Sequence, residues 1–470
     1  MKSIFKKEVI STLRDYRLVL LVTAMFLLVV SSLFTTYTQS KKISLERQQL
    51  NQHLRQQWDS LKTDPHSASH YGKYVFTQRA PLSFFDLGIT SYVGSFLKVE
   101  AHTRNEPQFS QANESSAAIR FGELSAARVL QMLLPLLLIF MGYDTIGKER
   151  EQGTFKLMLA QGISIRKILW QKIGAYFMLS QAIIIPVFVI TLWFHSASLG
   201  YGNGVDVSLV FLLFVIYTAY SFILITIIVS VSVSLKESRN ALLTLLGIWL
   251  VFTIFLPKII ANVGDGLHPL PSKKKFQLAI EEQVEKGIDG HNPGNVRTQK
   301  FVDSVLQHYQ VNTVAQLPIN IDGALMQADE HYRDKATKKQ FAIIKETIQK
   351  QNYLTQWAAW LSPFLSVRDL SMGICATDYF KQAEYERQVQ HYRLELMRTL
   401  NNYMTTHSQP GDWGAKAEAK FYQSIPDFVY HQPAVWWSIQ HYRLTLLAFA
   451  YWLVMCFLFV EWSARNTKII

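Results

Sequence analysis

Cysteine is almost absent from this chain, with two in 470 residues, Cys375 and Cys456. Neither CxxC nor zinc-type spacing occurs, so there is no disulfide framework and folded parts must hold by packing alone. Catalytic patterns are missing as well. No Ser-His-Asp or Cys-His arrangement is readable, no apolar run carries a protease-like acid pair, and the 13 histidines are scattered. His66 and His70 are four apart and can share a helix face, but two histidines without further ligands are a weak metal signal. Period-two alternation bounded by turn residues is scarce, and there is no internal repeat or low-complexity tract. These absences argue against an enzyme, a metal-built domain and a sheet-based fold.

What is present is apolar length. The chain is 49% hydrophobic, with 29 Phe, 21 Tyr and 11 Trp. Six stretches reach the roughly 20 apolar residues that a bilayer core requires: 18–37, 124–145, 173–194, 207–235, 241–260 and 444–461. The first is too long for a cleaved signal peptide and no small-residue cleavage pattern follows it, so it reads as an uncleaved anchor. Orientation follows from basic residues in short flanks. Lys2, Lys6, Lys7, Arg14 and Arg17 precede span 1. Lys148, Arg150, Lys156, Arg166, Lys167 and Lys172 lie between spans 2 and 3, and Lys236 and Arg239 between spans 4 and 5. Arg465 and Lys468 close the chain, whereas the loop between spans 3 and 4 has no basic residue. Both termini are therefore expected in the cytoplasm. Most of the net charge of +12 is orientation charge. It does not call for nucleic acid, which would need a basic soluble domain.

The expected fold is all-α: a polytopic membrane protein with six transmembrane helices and a mainly helical external domain. Residues 1–17 place Phe5, Val9, Leu13 and Tyr16 on one face, as a helix lying in the interface would. The plainer alternative is a basic terminus that only enforces orientation. Two segments, 38–123 and 261–443, are too long to be connectors and should fold. Helical patterns cover 43–61, 323–360 and 379–403, while Pro269, Pro271, Pro293 and Gly294 mark loops. Cys375 falls outside and Cys456 in the last span, too far apart in depth to pair. Phe84, Phe85, Tyr92, Phe96, Trp357, Trp360, Phe364, Trp436 and Trp437 lie near span ends. They suit core packing with an interfacial aromatic belt, or alternatively a substrate-facing groove. The tail is 462–470.

Residues 142–149 nearly spell a phosphate-binding loop. The last position is Glu149 where a magnesium-binding hydroxyl is needed, the first glycine lies inside a span, and no strand precedes it. The chain therefore has no nucleotide-hydrolysing site of its own. Polar groups within spans need an explanation. Glu123, Arg128 and Gln131 open the second span and are candidates for a translocation path. Arg128 either snorkels to the external interface or faces the bundle interior. Pro135, Pro186 and Pro257 are expected to kink or end their helices.

The segment 146–172 carries the sharpest signal. Glu149, Arg150 and Glu151 open a polar turn, Gly153 and Thr154 follow, and an apolar run with Phe155, Leu157, Met158 and Leu159 comes next. Gly162 breaks the run and Ser164 is placed to cap a second short helix. Such a helix between charged ends suits contact with a soluble partner; the alternative is an ordinary basic loop. Glu-Arg-Glu-x-Gly-Thr, a Leu-rich turn and a basic Ile-Leu-x-x-Lys lead-in to the next span resemble the type-2 ABC exporter permeases. The likeness is sharper to the branch with large insertions between spans 1 and 2 and between spans 5 and 6, through the segments at 81–88, 120–124 and 362–371. Gly162-Ile163-Ser164 departs from it where many members place a proline.

The resemblance implies an exporter permease pairing with a second copy or paralogue and with two cytoplasmic ATPase subunits, which bind the ATP and magnesium. No cofactor is then expected in this chain. Glu149, Arg150, Glu151, Gly153, Thr154, Phe155 and Leu159 would belong to a coupling helix seated in the ATPase, with residues 1–17 as an elbow helix beside it. The setting would be a bacterial inner membrane. The rival is a mechanotransmitter of the same architecture that moves no cargo and acts on a periplasmic partner.

Overall fold

The computed structural model describes residues 2–108, 124–198, 206–288 and 292–467. The protein is mostly helical, and six helical stretches are long and apolar enough to cross a membrane.

A short helix α1 (Lys2–Arg14) leads through Asp15, whose carboxylate caps the next helix by accepting from Arg17 N at 3.0 Å, into α2 (Tyr16–Asp59). At 44 residues, α2 is about 66 Å long. The separate pieces expected at 18–37 and 43–61 are thus one rod, because 38–42 contain no glycine or proline to break it. Helix α3 (Pro65–Tyr71) follows, then strands β1 (Lys73–Phe76) and β2 (Phe96–Val99), paired antiparallel with Lys73 opposite Val99 and Phe76 opposite Phe96. This hairpin is the strand exception, among the described residues, in a segment expected to be mainly helical. Four residues are too few to display alternation, and its register depends on Gly72 (φ +69°), where a Cβ would lie 2.4 Å from the Val99 carbonyl oxygen.

The second span is α4 (Ala126–Gly142). The following loop holds α5 (Gly147–Glu151) and α6 (Thr154–Ala160). Spans 3 and 4 are α7 (Ile165–Ser198) and α8 (Val207–Ser234). Ser164 therefore precedes a long span rather than a second short helix. The fifth span joins α9 (Ser238–Leu250), a π-turn (Val251–Phe255) and α10 (Leu256–Leu267). Pro257 has no N–H to offer and its ring crowds the preceding turn, and the wider π-turn absorbs that mismatch. Pro135 and Pro186 sit inside continuous helices.

Beyond span 5 come α11 (Lys273–Lys286), α12 (Gly294–Tyr309), α13 (Ile321–Ala358), α14 (Pro363–Cys375), α15 (Tyr379–His407), α16 (Ala419–Ser424) and α17 (Val435–His441). The last span is α18 (Arg443–Asn466).

Helix α8 is apolar all round, and it is the hub: α4, α7, α9, α14 and α18 pack around it. That is the burial an unstriped helix demands. Helix α14 is almost wholly buried and is wedged among α4, α8 and α18. A second core joins Trp58 of α2, Val75 and Leu97 of the hairpin, Tyr385, Val389, Leu396 and Leu400 of α15, and Tyr422. Trp58 Nε1 donates to Tyr422 O at 3.1 Å, and Arg55 donates to Ile425 O at 2.7 Å and Gln423 O at 2.8 Å. The segments on either side of spans 2 to 5 thus build one folded unit, with α2 running into it.

Candidate functional site

At the loop side of the bundle, the 146–172 segment is braced from within. Glu149 is only 4% exposed. Its Oε1 accepts from Lys7 Nζ of α1 at 3.0 Å and lies 3.1 Å from Lys172 Nζ at the base of span 3. Lys172, with no exposed surface, also donates to Glu8 Oε1 (2.6 Å), Thr145 O (2.9 Å) and Thr145 Oγ1 (3.1 Å). Tyr176 donates its hydroxyl to Glu8 Oε2 or Thr145 Oγ1, each at 3.0 Å. Two ammonium groups and two carboxylates balance, which is the condition for burying charge. The cluster ties α1, α5 and the bases of spans 2 and 3 together.

Arg150 turns the other way. Its guanidinium donates to Leu235 O and Val233 O, both at 2.7 Å, satisfying carbonyls that the end of α8 leaves open, and it lies 5.4 Å from the centre of the buried Phe155 ring. Glu151 accepts from Ser238 Oγ at 3.1 Å. Gly147 sits so close to Ser238 that a Cβ would meet its hydroxyl at 2.3 Å. Gly153 takes φ +73° in open space and starts α6, and Thr154 Oγ1 donates to Glu149 O at 3.2 Å. Leu159 is half-buried. The outward surface is made by Glu151, Gln152, Gly153, Lys156 and Leu157, the last 60% exposed.

Of the seven loop residues singled out from sequence, Glu149, Arg150 and Phe155 are therefore internal braces, while Glu151 and Gly153 lie at the surface. In the sequence Lys172 is only one of the flank charges, and nothing there singles out Glu8. Their partnership is long-range, and no local pattern announces it.

At the opposite end, a polar string crosses the bundle. Gln131 Nε2 donates to Tyr217 OH at 2.8 Å, Tyr217 OH is 3.1 Å from Ser371 Oγ, and Ser371 Oγ donates to Asp86 Oδ2 at 2.5 Å. Because the Ser371 proton goes to Asp86, the Tyr217 hydroxyl must donate to Ser371. The Gly88 N–H donates to Asp86 Oδ1 at 3.0 Å. Gly88 (φ +49°) is pressed against Thr377, whose carbonyl oxygen a Cβ would approach to 2.3 Å. The segments around 81–88 and 362–371, separate motifs in the sequence, thus meet here. Phe84 and Phe85 are core residues, packed on Tyr37, Phe188 and Tyr217. Of the path candidates, Gln131 belongs to the string, Arg128 is exposed at the start of α4, and Glu123 lies outside the described residues.

His66 and His70 stack edge to face, ring centres 4.7 Å apart. Among the described residues no group of three or more His, Cys, Asp or Glu is arranged to hold a metal ion.

Six helices long and apolar enough to cross a membrane, one of them the buried hub α8, point to a multi-pass helical membrane protein. Residues 274–431, about a third of the chain, match the family profile of a domain of unknown function (DUF3526). This region holds α11 to α16 and part of the second core. A comparison with curated proteins finds no match.

Proposed function

We infer that this chain is the transmembrane permease subunit of an ABC exporter in a bacterial inner membrane. A separate cytoplasmic ATPase would hydrolyse ATP, and the chain itself would catalyse no covalent step. The observation that carries this reading is the braced loop. A force-transmitting contact needs a free tip and a rigid root, and α6 offers exposed Leu157 and Lys156 on a root fixed to α1 and to spans 2, 3, 4 and 5 by Glu149, Lys172, Arg150 and Glu151. The tip would seat in the ATPase, while the root would pass its displacement to the spans.

Co-purification from native membranes tests this. An ATPase is expected to accompany the solubilised chain, and Leu157→Glu with Lys156→Glu is expected to release it without altering the thermal unfolding midpoint. Retention of the ATPase by that variant, or no ATPase under several mild detergents, rejects the reading.

One observation favours the mechanotransmitter alternative. Helix α2 runs unbroken from the bundle into the core it shares with α15 and α16, a stiff rod suited to carrying motion to a periplasmic partner. Vesicle export of candidate cargo separates the two readings.

A further inference from the structure

A cavity of about 440 Å³ opens between α4, the fifth span and α14, beside the polar string. Three cations reach it: Arg128 from α4, Lys258 from α10 and Arg368 from α14. Arg368 is committed to Asp369 at 2.9 Å. Asp86, also on the wall, has its two oxygens engaged by Ser371 and Gly88. Neither the Arg128 nor the Lys258 side chain makes a hydrogen bond or ion pair among the described residues, though the charge of Arg128 acts on Asp86 of the same wall. Two cations on the wall of one cavity favour an anion between them.

Depth supports the same point. Arg128 is in the first turn of α4, and Lys258 lies 20 residues along the fifth span from Ser238. That is about 30 Å, the thickness of a hydrocarbon core. Both cations therefore stand at one boundary, the one from which α2 projects. Snorkelling alone would send each towards bulk water separately, yet they line one cavity. The rest of the wall is mixed, with Met132, Ile254, Pro257, Phe364 and Met372 beside Ser125, Gln131 and Thr253. Ile254 belongs to the π-turn, a distortion that often marks functional positions. The fifth span, one wall of the cavity, is the least covered of the six, and we place the cavity's lateral mouth there.

We propose that this cavity binds the anionic head group of a membrane amphiphile, with Arg128 and Lys258 taking the charge and the apolar part of the wall taking the first part of its chain. Its volume falls in the range of small-molecule sites, and the lateral mouth admits a ligand that never leaves the bilayer. Only the ligand's fate as cargo rests on the permease reading. Binding is read on the chain without an ATPase, so the two ideas fail separately.

The test uses the full chain, purified and delipidated in detergent, titrated with short-chain phosphatidylglycerol, phosphatidylcholine of the same acyl length, and inorganic phosphate. Saturable binding of the phosphatidylglycerol is expected, weaker by about tenfold or more for phosphatidylcholine and in the double variant Arg128→Gln/Lys258→Gln, as loss of charge-assisted contacts dictates. Arg128→Lys should retain binding, and Lys300→Gln, distant in the chain, should leave it unchanged. Should the double variant not fold, each single substitution is expected to weaken binding by several-fold. Equal binding of both lipids, or binding indifferent to Arg128 and Lys258, overturns the proposal. Inorganic phosphate binding as tightly as phosphatidylglycerol overturns its amphiphile half and leaves a soluble-anion site.

Discussion

Lys172 illustrates what a single residue contributes here. Its ammonium is fully buried between Glu8 and Glu149, so Lys172→Met leaves Glu8 without a counter-charge and Glu149 with the half-exposed Lys7 alone. Breaking a buried pair from one side costs about 3–5 kcal/mol. Lys7 holds the same Glu149 oxygen with a side chain 55% exposed, and pairs of that kind contribute about 0–1 kcal/mol. Thermal unfolding of the purified chain should therefore show a large loss for Lys172→Met and little for Lys7→Met; equal effects would mean the cluster is not shielded from water. Charge reversal at Glu149 should likewise damage the fold before it touches any partner, so Glu151 and Leu157 are the informative positions for docking. A related contrast holds at Gly153. Its positive φ makes Gly153→Ala cost about 1 kcal/mol through backbone strain alone, since the added methyl meets nothing, and Gly153→Asn should recover much of the loss. The sequence announced this glycine through its place before an apolar run. It could not announce Glu8 with Lys172, because 164 residues separate them.

Elements were legible where period and breakers coincide. Helices α13 and α15 fall close to their expected ranges because long, uninterrupted 3.6-residue patterns leave no alternative. The boundaries of α2 were not legible, since polarity changes at residue 38 while the backbone does not. The α13–α15 interface also carries a pH dependence. Burial alone would raise Glu330, but hydrogen bonds from His102 and the charge of Arg393, 2.9 Å away, outweigh it and hold the carboxyl at about 2. An acid lowered in the fold stabilises it fully above the ordinary carboxylate range, and that stability is lost as pH falls from about 4.5 towards 2. His66, on α3 packed against α15, is lowered by burial and by neighbouring His70 and His102, partly offset by Asp64. Its unfolded form takes the proton first, so destabilisation begins as pH drops below about 6.5. Acid titration followed by near-ultraviolet circular dichroism should therefore give two losses. His66→Phe is expected to remove the upper one, and Glu330→Gln to shrink the lower one, which the lowered Asp64 and Glu100 share. A single transition below pH 4 in the parent protein would contradict the His66 assignment.

Across the whole molecule, the six spans divide by how well they are covered. Of the most apolar window in each span, α4 has 67% of residues buried and α8 56%, against 22% for α2 and 11% for the fifth span. Composition cannot reveal this division, because lipid and a second helix accept the same side chains. Leu20, Leu27 and Phe34 repeat at seven-residue spacing along α2, and Val251, Phe255 and Ile259 follow one another up the fifth span, all exposed. Residues spaced in this way share one face of a helix, which a second helix or lipid covers equally well. The permease reading requires a second copy or paralogue, and these two faces are where it would sit. Cys375 and Cys456 are both buried and free, so a cysteine-free background needs only Cys375→Ser and Cys456→Ser. In that background, Leu243→Cys or Val251→Cys on the fifth span should cross-link to a dimer in native membranes with a short bifunctional reagent. Val189→Cys on span 3, at 61% as exposed in the single chain as Leu243 at 62%, should not. Cross-linking at Val189 in place of the fifth span would move the interface to span 3. Cross-linking at neither, with monomeric mass in detergent, would leave α2 and the fifth span facing lipid, and the lateral mouth beside Lys258 open to the bilayer from all sides.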